Sequence, residues 1–431
     1  MKKIFSIALC LISLLCNSQQ YFTLTEAINT SLKNSFDIQI AKNNVAISTI
    51  NNDKGFAGAL PQVNATINDV ENSTSLNQKL NNGNSVSRGG ARANNLTGNL
   101  QGSILLYNGY RVVATKNRLE QLQKLSEQQL NSQIQNTMAA VAAKYYDIVR
   151  QESYFQTLTL SLDLSLKRLQ IINARREAGL ANMADVYQGE LDLNARKQEL
   201  QTQQLVIDQA KTDLLLLMRL PSNLKISIKD SIIVDKSLQL DSLQKAIFNN
   251  PDLQTAALAI KVNEFIEKET AALRYPSLRL NAGVNYNRNQ SEAGLFLLNQ
   301  SYGPFVGLNI QIPIYNGSTV KKQQQIAQLN TKNAGLQQQA LSNNLEANLM
   351  RAYQSYTNTF ARIEIEQRNY EIAKQLNGLV LEKFRLNQAT ILELREAQKS
   401  FEDTGYRLIN LAYAAKVAEI ELKRSAAILA F

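Results

Sequence analysis

The sequence predicts a membrane protein of mixed α and β structure, built as two copies of one unit. Two very long stretches carry helical apolar spacing without a proline. A pair of amphipathic strands precedes each stretch, and a Tyr-Asn-Gly tripeptide joins strand to helix both times. Each copy therefore turns from strand into a long helix.

The spacing of repeated features supports the duplication. Ala181 follows Gly109 by 72 positions, and Ala389 follows Gly317 by the same 72 positions. The two Tyr-Asn-Gly tripeptides are 208 positions apart, whereas the matching segments that begin at Asn34 and Asn249 are 215 apart. The two copies therefore differ by seven residues ahead of the Tyr-Asn-Gly, where a loop of variable length is expected. The first repeat is predicted over residues 19–220, with its hairpin at 61–107. The second repeat is predicted over residues 241–431, with its hairpin at 275–315. Residues 221–240 form a connecting segment, or belt, between the repeats.

The chain begins with the pattern of a secretory signal peptide. Two lysines precede an apolar run that ends at Leu15, and small side chains follow, so cleavage is expected after Ser18 and residues 1–18 form the leader. The run is too short to anchor the chain in a bilayer. The alternative is a lipoprotein acylated at Cys16, although Leu15 is bulkier than the small residue usual at that position.

The composition argues against an enzyme. The only two cysteines, Cys10 and Cys16, lie in the leader, and the chain has no histidine. Thiolate chemistry, imidazole bases and the commonest metal ligand are therefore missing. We expect no catalytic, cofactor-binding or metal site. The 46 basic and 36 acidic residues are scattered along helices without interleaved aromatic residues, so nucleic acid is not expected as a partner.

Helix and strand patterns alternate through the first hundred residues. A helix is expected over residues 23–56, where apolar residues recur at helical intervals. From Gln62 the residues alternate between apolar and polar, as is typical of a strand with one face of each kind. Residues 69–95 are rich in Asn, Ser and Gly and are expected to form an exposed loop. The remaining strands are expected over residues 96–107, 275–288 and 302–315.

Four strands of this kind cannot form a membrane barrel by themselves. A sheet that spans a bilayer must leave no backbone edge in lipid, so several chains have to close it. A trimer would supply about twelve strands, which lies within the range of known barrels. The residues expected to face lipid are apolar: Val63, Ala65, Ile67, Leu100, Ile104, Leu106, Leu278, Leu280, Val306, Leu308 and Ile310.

The helical signal is strongest after Gly109. A helix over residues 111–176 would be on the order of 100 Å long, which points to a coiled coil or a helical array. A break at residues 179–182 is followed by a second helix that ends before Pro221. The second copy repeats the pattern: a long helix over residues 319–384 is followed by a turn at residues 386–389, and a return helix continues from there to the C-terminus. Between the copies, residues 222–240 are expected to be irregular and residues 241–273 helical, with an interruption near Pro251.

This architecture resembles that of the TolC-like outer-membrane efflux proteins. The resemblance covers nearly the whole mature sequence and rests on the order of elements: leader, helix, hairpin with a Tyr-Asn-Gly exit, long helix, tight turn and return helix, all repeated. It implies a homotrimer with a twelve-stranded β-barrel in the outer membrane of a Gram-negative bacterium and a long α-helical barrel in the periplasm. Such proteins are passive exit ducts of tripartite pumps or type I secretion systems. They dock a periplasmic adaptor and an inner-membrane transporter of the RND, ABC or MFS type.

Three groups of residues are expected to carry the function. The barrel-to-helix junctions are Tyr107, Asn108, Gly109, Tyr315, Asn316 and Gly317. The two helix turns are expected to form the end farthest from the membrane and to bind the adaptor; they contain Gly179, Leu180, Ala181, Asn182, Asn387, Gln388, Ala389 and Thr390. The third group matches the position of the family's inward-facing acids and is expected to form a constriction: Glu393, Glu396 and the first-repeat counterpart Asp185.

The acids of the third group predict how a closed channel should behave. Glu393 and Glu396 stand three positions apart and share one helix face, so a trimer would bring together six carboxylates. Such a ring attracts cations and repels anions, and replacing both residues by Ala should abolish cation preference and divalent block. The alternative is an ordinary solvated acidic face, because negative charge is favoured at a helix N-terminus. Phe384 and Ala389 stand where a family member has a latching tyrosine and arginine, so an identical latch is not expected.

A second class of function stays open at this point. A secreted or surface protein could use the long helices as a coiled-coil rod and pack its hairpins into a soluble head. The strand faces discriminate between the two classes, because a lipid-facing band should be uniformly apolar. Ala65, Ala282 and the strand glycines weaken that signal.

Overall fold

The computed structural model describes residues 20–294 and 296–429. Both cysteines, the expected cleavage site and Phe431 lie outside the described residues. In chain order the elements are β1 (Gln20–Tyr21), α1 (Leu24–Asn34), α2 (Phe36–Asn51), β2 (Gln62–Lys79), β3 (Ser85–Tyr107), α3 (Arg111–Glu177), α4 (Met183–Met218), β4 (Ile226–Ser227), α5 (Leu240–Ala246), a 3₁₀ turn (Ile247–Asn249), α6 (Pro251–Ala272), β5 (Ser277–Ser291), β6 (Leu298–Gln311), α7 (Thr319–Arg385) and α8 (Ile391–Ser425).

The chain divides into two compact units that do not follow its linear order. The first unit contains the described residues of Met1–Asn43, Gln128–Gln254 and Gln339–Phe431. The second unit contains Asn44–Glu127 and Thr255–Gln338. The predicted boundaries at residues 220 and 241 stay a prediction, because they follow the sequence repeats, whereas the two units are defined by spatial contacts.

The long helices begin and end close to where the sequence predicts. The first was expected to end at residue 176 and ends at Glu177, and α4 has the expected bounds. The second long helix ends at Arg385, and α8 returns after the expected turn. No helix in the described part of the chain is long and apolar enough to cross a membrane.

The opening helix is divided, contrary to the expectation of one helix over residues 23–56. The backbone of Ser35 leaves the helical region with φ of −58° and ψ of 125°. Near this break, the Ser31 hydroxyl donates to the carbonyl of Leu217 at 2.9 Å, and the Asn34 amide donates to that of Met218 at 3.2 Å. The end of α1 therefore satisfies carbonyls that the last turn of α4 leaves free.

The core of the first unit forms where α3 and α4 pack on the opening helix. Tyr145 and Ile148 of α3 meet Leu214 and Met218 of α4, and all four side chains are almost fully buried. The segment between the repeats is irregular as predicted, except that β4 pairs in parallel with β1. The Lys416 ammonium of α8 donates to the carbonyl of Ile233 at 2.8 Å, which fixes this segment against the helices.

The second unit contains an antiparallel sheet with the strand order β2-β3-β5-β6. The prediction of a loop over residues 69–95 is wrong, because β2 continues to Lys79 and β3 starts at Ser85. Polar residues predominate on both faces of this part of the hairpin, so the regular apolar alternation that indicates a strand is missing. The pairing still holds across the strands, where the Asn94 amide donates to the Asp69 carboxylate at 2.7 Å.

The register of the sheet brings the apolar residues of all four strands to one face. Leu100 lies opposite Ala65 on one side and opposite Val284 on the other. Residues that lie directly opposite each other share a face, so one face carries Val63, Ala65, Ile67, Leu100, Ile104, Leu280, Ala282, Val284, Val306 and Leu308. The other face carries mostly amide, hydroxyl and glycine residues, including Asn64, Thr66, Asn99, Gln101, Asn281, Asn285, Ser301 and Gly307.

Candidate functional site

The two predicted junctions between sheet and helix have the same backbone conformation. Gly109 and Tyr110 both have positive φ, at 69° and 64°, and Gly317 and Ser318 repeat this pair at 65° and 60°. At the first junction the Asn108 side chain accepts a hydrogen bond from the Val112 backbone at 3.3 Å, which satisfies a free N–H at the start of α3. The Asn-Gly pair thus turns the chain and caps the helix that follows.

The two junction glycines differ in how tightly they are packed. A Cβ on Gly109 would lie 2.7 Å from the Cβ of Tyr275, whereas a Cβ on Gly317 would meet no neighbour within 4 Å. Both positions need a left-handed backbone, which glycine adopts without strain. Only Gly109 also needs the missing side chain, because the end of α6 at Ala272 and the following Tyr275 approach it closely.

The two helix turns are built from the same hydrogen bonds. After α3, Leu180 N–H donates to Arg175 O at 2.7 Å and Gly179 N–H donates to Arg176 O at 3.0 Å. After α7, Gln388 N–H donates to Lys383 O at 2.8 Å and Asn387 N–H donates to Phe384 O at 3.1 Å. Gly179 and Asn387 have φ of 74° and 63°. Both turns are therefore Schellman motifs that end one helix with a left-handed residue.

The helices that leave the two turns begin with the same cap. At the start of α4, Asp185 N–H donates to the Asn182 side chain at 2.9 Å, and Asn182 N–H donates back to the Asp185 carboxylate at 3.2 Å. At the start of α8, Glu393 and Thr390 form the same reciprocal pair at 3.2 and 2.7 Å. Each is a capping box, which satisfies two free donors of the first helical turn.

The predicted constriction acids therefore have different surroundings. Asp185 and Glu393 belong to the capping boxes, and the hydrogen bonds from the Thr390 backbone and hydroxyl lower the pKa of Glu393. Glu396 lies exposed on the same helix and lines a cavity. Position 188, which corresponds to Glu396 in the first turn, holds Gln188, whose amide donates to Asp192 at 2.9 Å.

The two turns of one chain share a small apolar core. Ile172, Val186, Phe384 and Leu394 are buried together, one from each of the four helices that meet there. Arg175 also joins the turns, because its guanidinium stacks 4.1 Å from the centre of the Phe384 ring and donates to the Phe384 carbonyl. Of the eight residues predicted for the turns, Ala389 packs against this core, while six others, including Leu180 and Asn387, are exposed.

The sequence pattern of the outer membrane efflux protein family matches residues 27–218 and 242–427. The chain belongs to this family. Family membership favours an outer-membrane efflux channel over the coiled-coil surface protein, and it agrees with the predicted resemblance. No match is found among the curated proteins.

Solved structures of outer-membrane proteins have the same fold. VceC from Vibrio cholerae is 17% identical, with a TM-score of 0.76 over 94% of this chain and 95% of its own. The CmeC outer membrane channel from Campylobacter jejuni is 14% identical, with a TM-score of 0.78 over 94% and 85%. The MtrE outer membrane channel from Neisseria gonorrhoeae, solved in its open state, is 17% identical, with a TM-score of 0.70 over 94% and 88%. At these identities the likeness establishes the fold.

Sequence reasoning missed a largely buried polar layer behind the turns of this family member. The layer consists of Ser161, Ser165 and Arg168 of α3, Asp192 and Arg196 of α4, and Gln398 and Glu402 of α8. The Arg168 guanidinium binds Asp192 at 2.7 Å and Gln398 at 3.2 Å. Glu402 accepts from Ser161 and pairs with Arg196 at 2.8 Å. The layer joins α8 to both helices of the other turn.

In the polar layer, burial and the neighbouring partners shift the pKa values of Glu402 and Arg168 in opposite directions. Burial raises the pKa of Glu402, while the hydrogen bond from Ser161 and the nearby Arg196 lower it. Burial lowers the pKa of Arg168, and Asp192 opposes that effect. One signal in the sequence could have revealed the layer, since Ser161, Ser165 and Arg168 recur at helical spacing within the apolar pattern of α3.

Proposed function

We propose that the chain forms a homotrimeric, passive exit duct in the outer membrane of a Gram-negative bacterium. Each chain contributes four strands to a twelve-stranded β-barrel, and its long helices contribute to a periplasmic α-helical barrel. The two sequence repeats give the two turns and the two hairpins. A periplasmic adaptor and an inner-membrane transporter of RND, ABC or MFS type dock to the duct, and the transporter supplies the energy.

The observation that carries this proposal is the sheet of the second unit. Its apolar face is open to solvent in the single chain, with Val63 exposed by 69%, Ile67 by 80% and Val306 by 78%. Among the described residues, the outer edges of β2 and β6 pair with no other strand. A large exposed apolar face fits a lipid surface, and free edges in lipid require further strands to satisfy their backbone groups. Three copies supply those strands without a new element.

A matched pair of substitutions tests the barrel. Leu308 and Asn309 are neighbours in β6 and lie on opposite faces of the sheet. Leu308→Lys should destabilise the inserted barrel by about 2–4 kcal/mol if this residue lies near the bilayer centre, whereas Asn309→Lys faces the lumen and should be tolerated. Membrane extraction followed by mass measurement gives both the location and the number of chains. A stable soluble monomer, or equal insertion of the two variants, contradicts the proposal.

We propose that the two turns dock the adaptor. Their shared core and identical hydrogen bonds support a single rigid surface, on which Leu180 is largely exposed. A bulky residue there should block docking without disturbing assembly. Ala181→Trp and Ala389→Trp are expected to abolish export while the trimer still forms, and Gln201→Trp, at an exposed position of α4, serves as the control. Unchanged export in the first two variants would remove docking from these turns.

We propose that Glu393 and Glu396, with Asp185, form the acidic constriction of the closed duct. The hydrogen bonds from Thr390 favour the ionised form of Glu393, which keeps a negative charge at this position. Substitution by Gln is sharper than substitution by Ala, because Gln keeps a side-chain acceptor for the capping box. The variant with Glu393→Gln and Glu396→Gln should lose cation preference and divalent block in a planar bilayer. Wild-type selectivity in this variant would move the constriction elsewhere.

A further inference from the structure

The polar face of the sheet carries a single charge over the length where all four strands pair. Residues of neighbouring strands that lie directly opposite each other share a face, and most residues of this face are amides, hydroxyls and glycines. Within the described sheet its one charged residue is Arg279, which lies opposite Leu105 of β3 and Asn309 of β6. Arg279 stands near the start of β5, so its charge lies at the end of the sheet from which the long helices leave.

A cavity of about 260 Å³ lies beside Arg279 on this face. Its wall includes two opposed pairs of the polar face, Leu105 with Arg279 and Ser277 with Gln311. Arg111, the first residue of α3, also lines the cavity. The wall holds two guanidinium groups and no carboxylate. Two arginines of one chain therefore share a cavity whose ionisable side chains are all basic or neutral.

The acids around this cavity do not neutralise the two arginines. Neither arginine forms an ion pair with any residue that the structure describes. Glu269 of α6 pairs with Arg118 at 2.7 Å. Asp53 accepts a hydrogen bond from Gly55 N–H at 2.6 Å. Neither of these acids lines the cavity.

The sequence around both junctions is also free of acids. No aspartate or glutamate occurs between Glu71 and Glu120, between Glu269 and Glu292, or between Glu292 and Glu346. These stretches contain both Tyr-Asn-Gly junctions and the strands β3, β5 and β6. The positive charge of Arg111 and Arg279 therefore has no counter-charge from neighbouring positions along the chain.

The starts of the helices show that helix stability does not explain the cation at Arg111. The N-terminus of a helix favours an acid and disfavours a cation. Among the described helices, α1, α2, α4, α5, α6 and α8 each have an acid in the first turn. The two helices that follow the sheet, α3 and α7, have none. Arg111 thus stands where a cation costs helix stability.

We propose that Arg111 and Arg279 of three chains form a cationic collar that selects anions inside the duct. The inference rests on the proposed trimer, in which the polar face of the sheet lines the lumen. Six guanidinium groups then surround the passage where the barrel joins the helices, and a guanidinium group stays charged at any working pH. Clustered charges of one sign attract counter-ions and repel ions of their own sign. The collar favours small anions and the anionic groups of a cargo, and its sign is opposite to that of the acidic constriction.

The test measures the reversal potential of channels in a planar bilayer under a gradient of potassium chloride. Every chain carries Glu393→Gln and Glu396→Gln, so that the acidic constriction does not mask the collar, and this double variant is the background. A potential of about 1 kT at the collar makes chloride roughly sevenfold more concentrated there than potassium. This preference should be clear at about 0.01 M salt, where the Debye length is about 30 Å, and should vanish at about 1 M, where it is about 3 Å.

Three substitutions at one position grade the effect. Arg279→Lys keeps the charge and should keep the chloride preference, whereas Arg279→Gln removes half of the charge of the collar and should weaken it. Arg279→Glu sets a carboxylate against Arg111 and should abolish the preference. The matched control is Arg288→Gln, which removes the same charge from the same strand on the opposite face, where Arg288 lies across from Leu96. Mass measurement after membrane extraction checks that each variant still forms the trimer.

A chloride preference that falls from Lys to Gln to Glu at position 279, and that Arg288→Gln leaves unchanged, supports the collar. Background channels without chloride preference at low salt overturn the collar and leave the trimeric duct intact. An equal preference in Arg279→Glu and Arg288→Gln does the same. If the chain forms no channel at all, the proposed duct is contradicted, and the collar is contradicted with it.

Discussion

The two helix turns have the same backbone but different support behind them. Each turn ends one helix with a Schellman motif and starts the next with a capping box. At the repeat offset of 208 positions, however, the buried Arg168 and its partner Asp192 correspond to Leu376 and Ser400. The local hydrogen bonds that form a turn are thus present twice, whereas the charged layer is present once. Residues close together in the sequence are enough to build each turn. The charged pair of Arg168 and Asp192 is an additional feature of the first repeat alone.

Breaking the polar layer, which only the first repeat supplies with Arg168 and Asp192, should change the stability of the fold most. Asp192→Ala removes the carboxylate that pairs with Arg168 and leaves this buried cation with the neutral Gln398 amide as its remaining partner, so the free energy of unfolding should fall by about 3–5 kcal/mol. The counterpart Ser400→Ala should change it by less than about 0.5 kcal/mol. Denaturant unfolding in detergent compares the two variants. Similar losses in both would mean that the turns are supported alike.

Removing either cap should have a smaller and equal effect on the two turns. Asn182→Ala and Thr390→Ala each delete a side chain that accepts a hydrogen bond from the first helical turn. Each should cost about 1 kcal/mol. Hydrogen exchange of the Asp185 and Glu393 amides should speed up only in the variant of the same turn. Faster exchange in both turns from a single substitution would show that they open together.

Exchanging the left-handed residues between the turns should matter still less. Gly179→Asn and Asn387→Gly place at each turn the residue that the other one already uses, and both residue types adopt positive φ. Each change should shift the free energy of unfolding by less than about 0.5 kcal/mol. Gly179→Ala is the contrasting variant, with an expected cost of about 1–2 kcal/mol. Thermal melting of the three variants orders them, and a large loss in Gly179→Asn would mean that the two turns differ in their surroundings.

The smallest effect concerns the titration of Glu393. Because its pKa is lowered below 4.5 in the folded chain, its ionised form stabilises the fold above that pH, and this contribution disappears as the pH falls through the folded pKa. Glu393→Gln should therefore melt below the wild type at pH 7, and the difference should narrow at pH 3. If the difference in melting temperature is the same at both pH values, the charge of the Glu393 carboxylate does not contribute to the stability of the cap.

The sequence predicts the repeating local features well and the long-range polar contacts poorly. The bounds of α3 and both turns could be predicted because apolar spacing, Gly179 and Asn387 are signals within a few residues of each other. The extension of β2 to Lys79 could not be predicted, since polar residues on both faces remove the alternation. The pairing of Arg168 with Gln398 joins positions 230 residues apart, and each residue alone resembles an ordinary surface residue.

The central pairing of the sheet also has a consequence for the order of folding. Leu96 of β3 lies opposite Arg288 of β5, so the two are separated by 192 positions, and both long elements α3 and α4 are synthesised between them. The first hairpin is complete long before its partner strand exists. Closing so long a loop makes the pairing of β3 with β5 late and slow. During that interval the edge of β3 that later pairs with β5 is open, so the nascent chain needs protection from aggregation until its second half arrives.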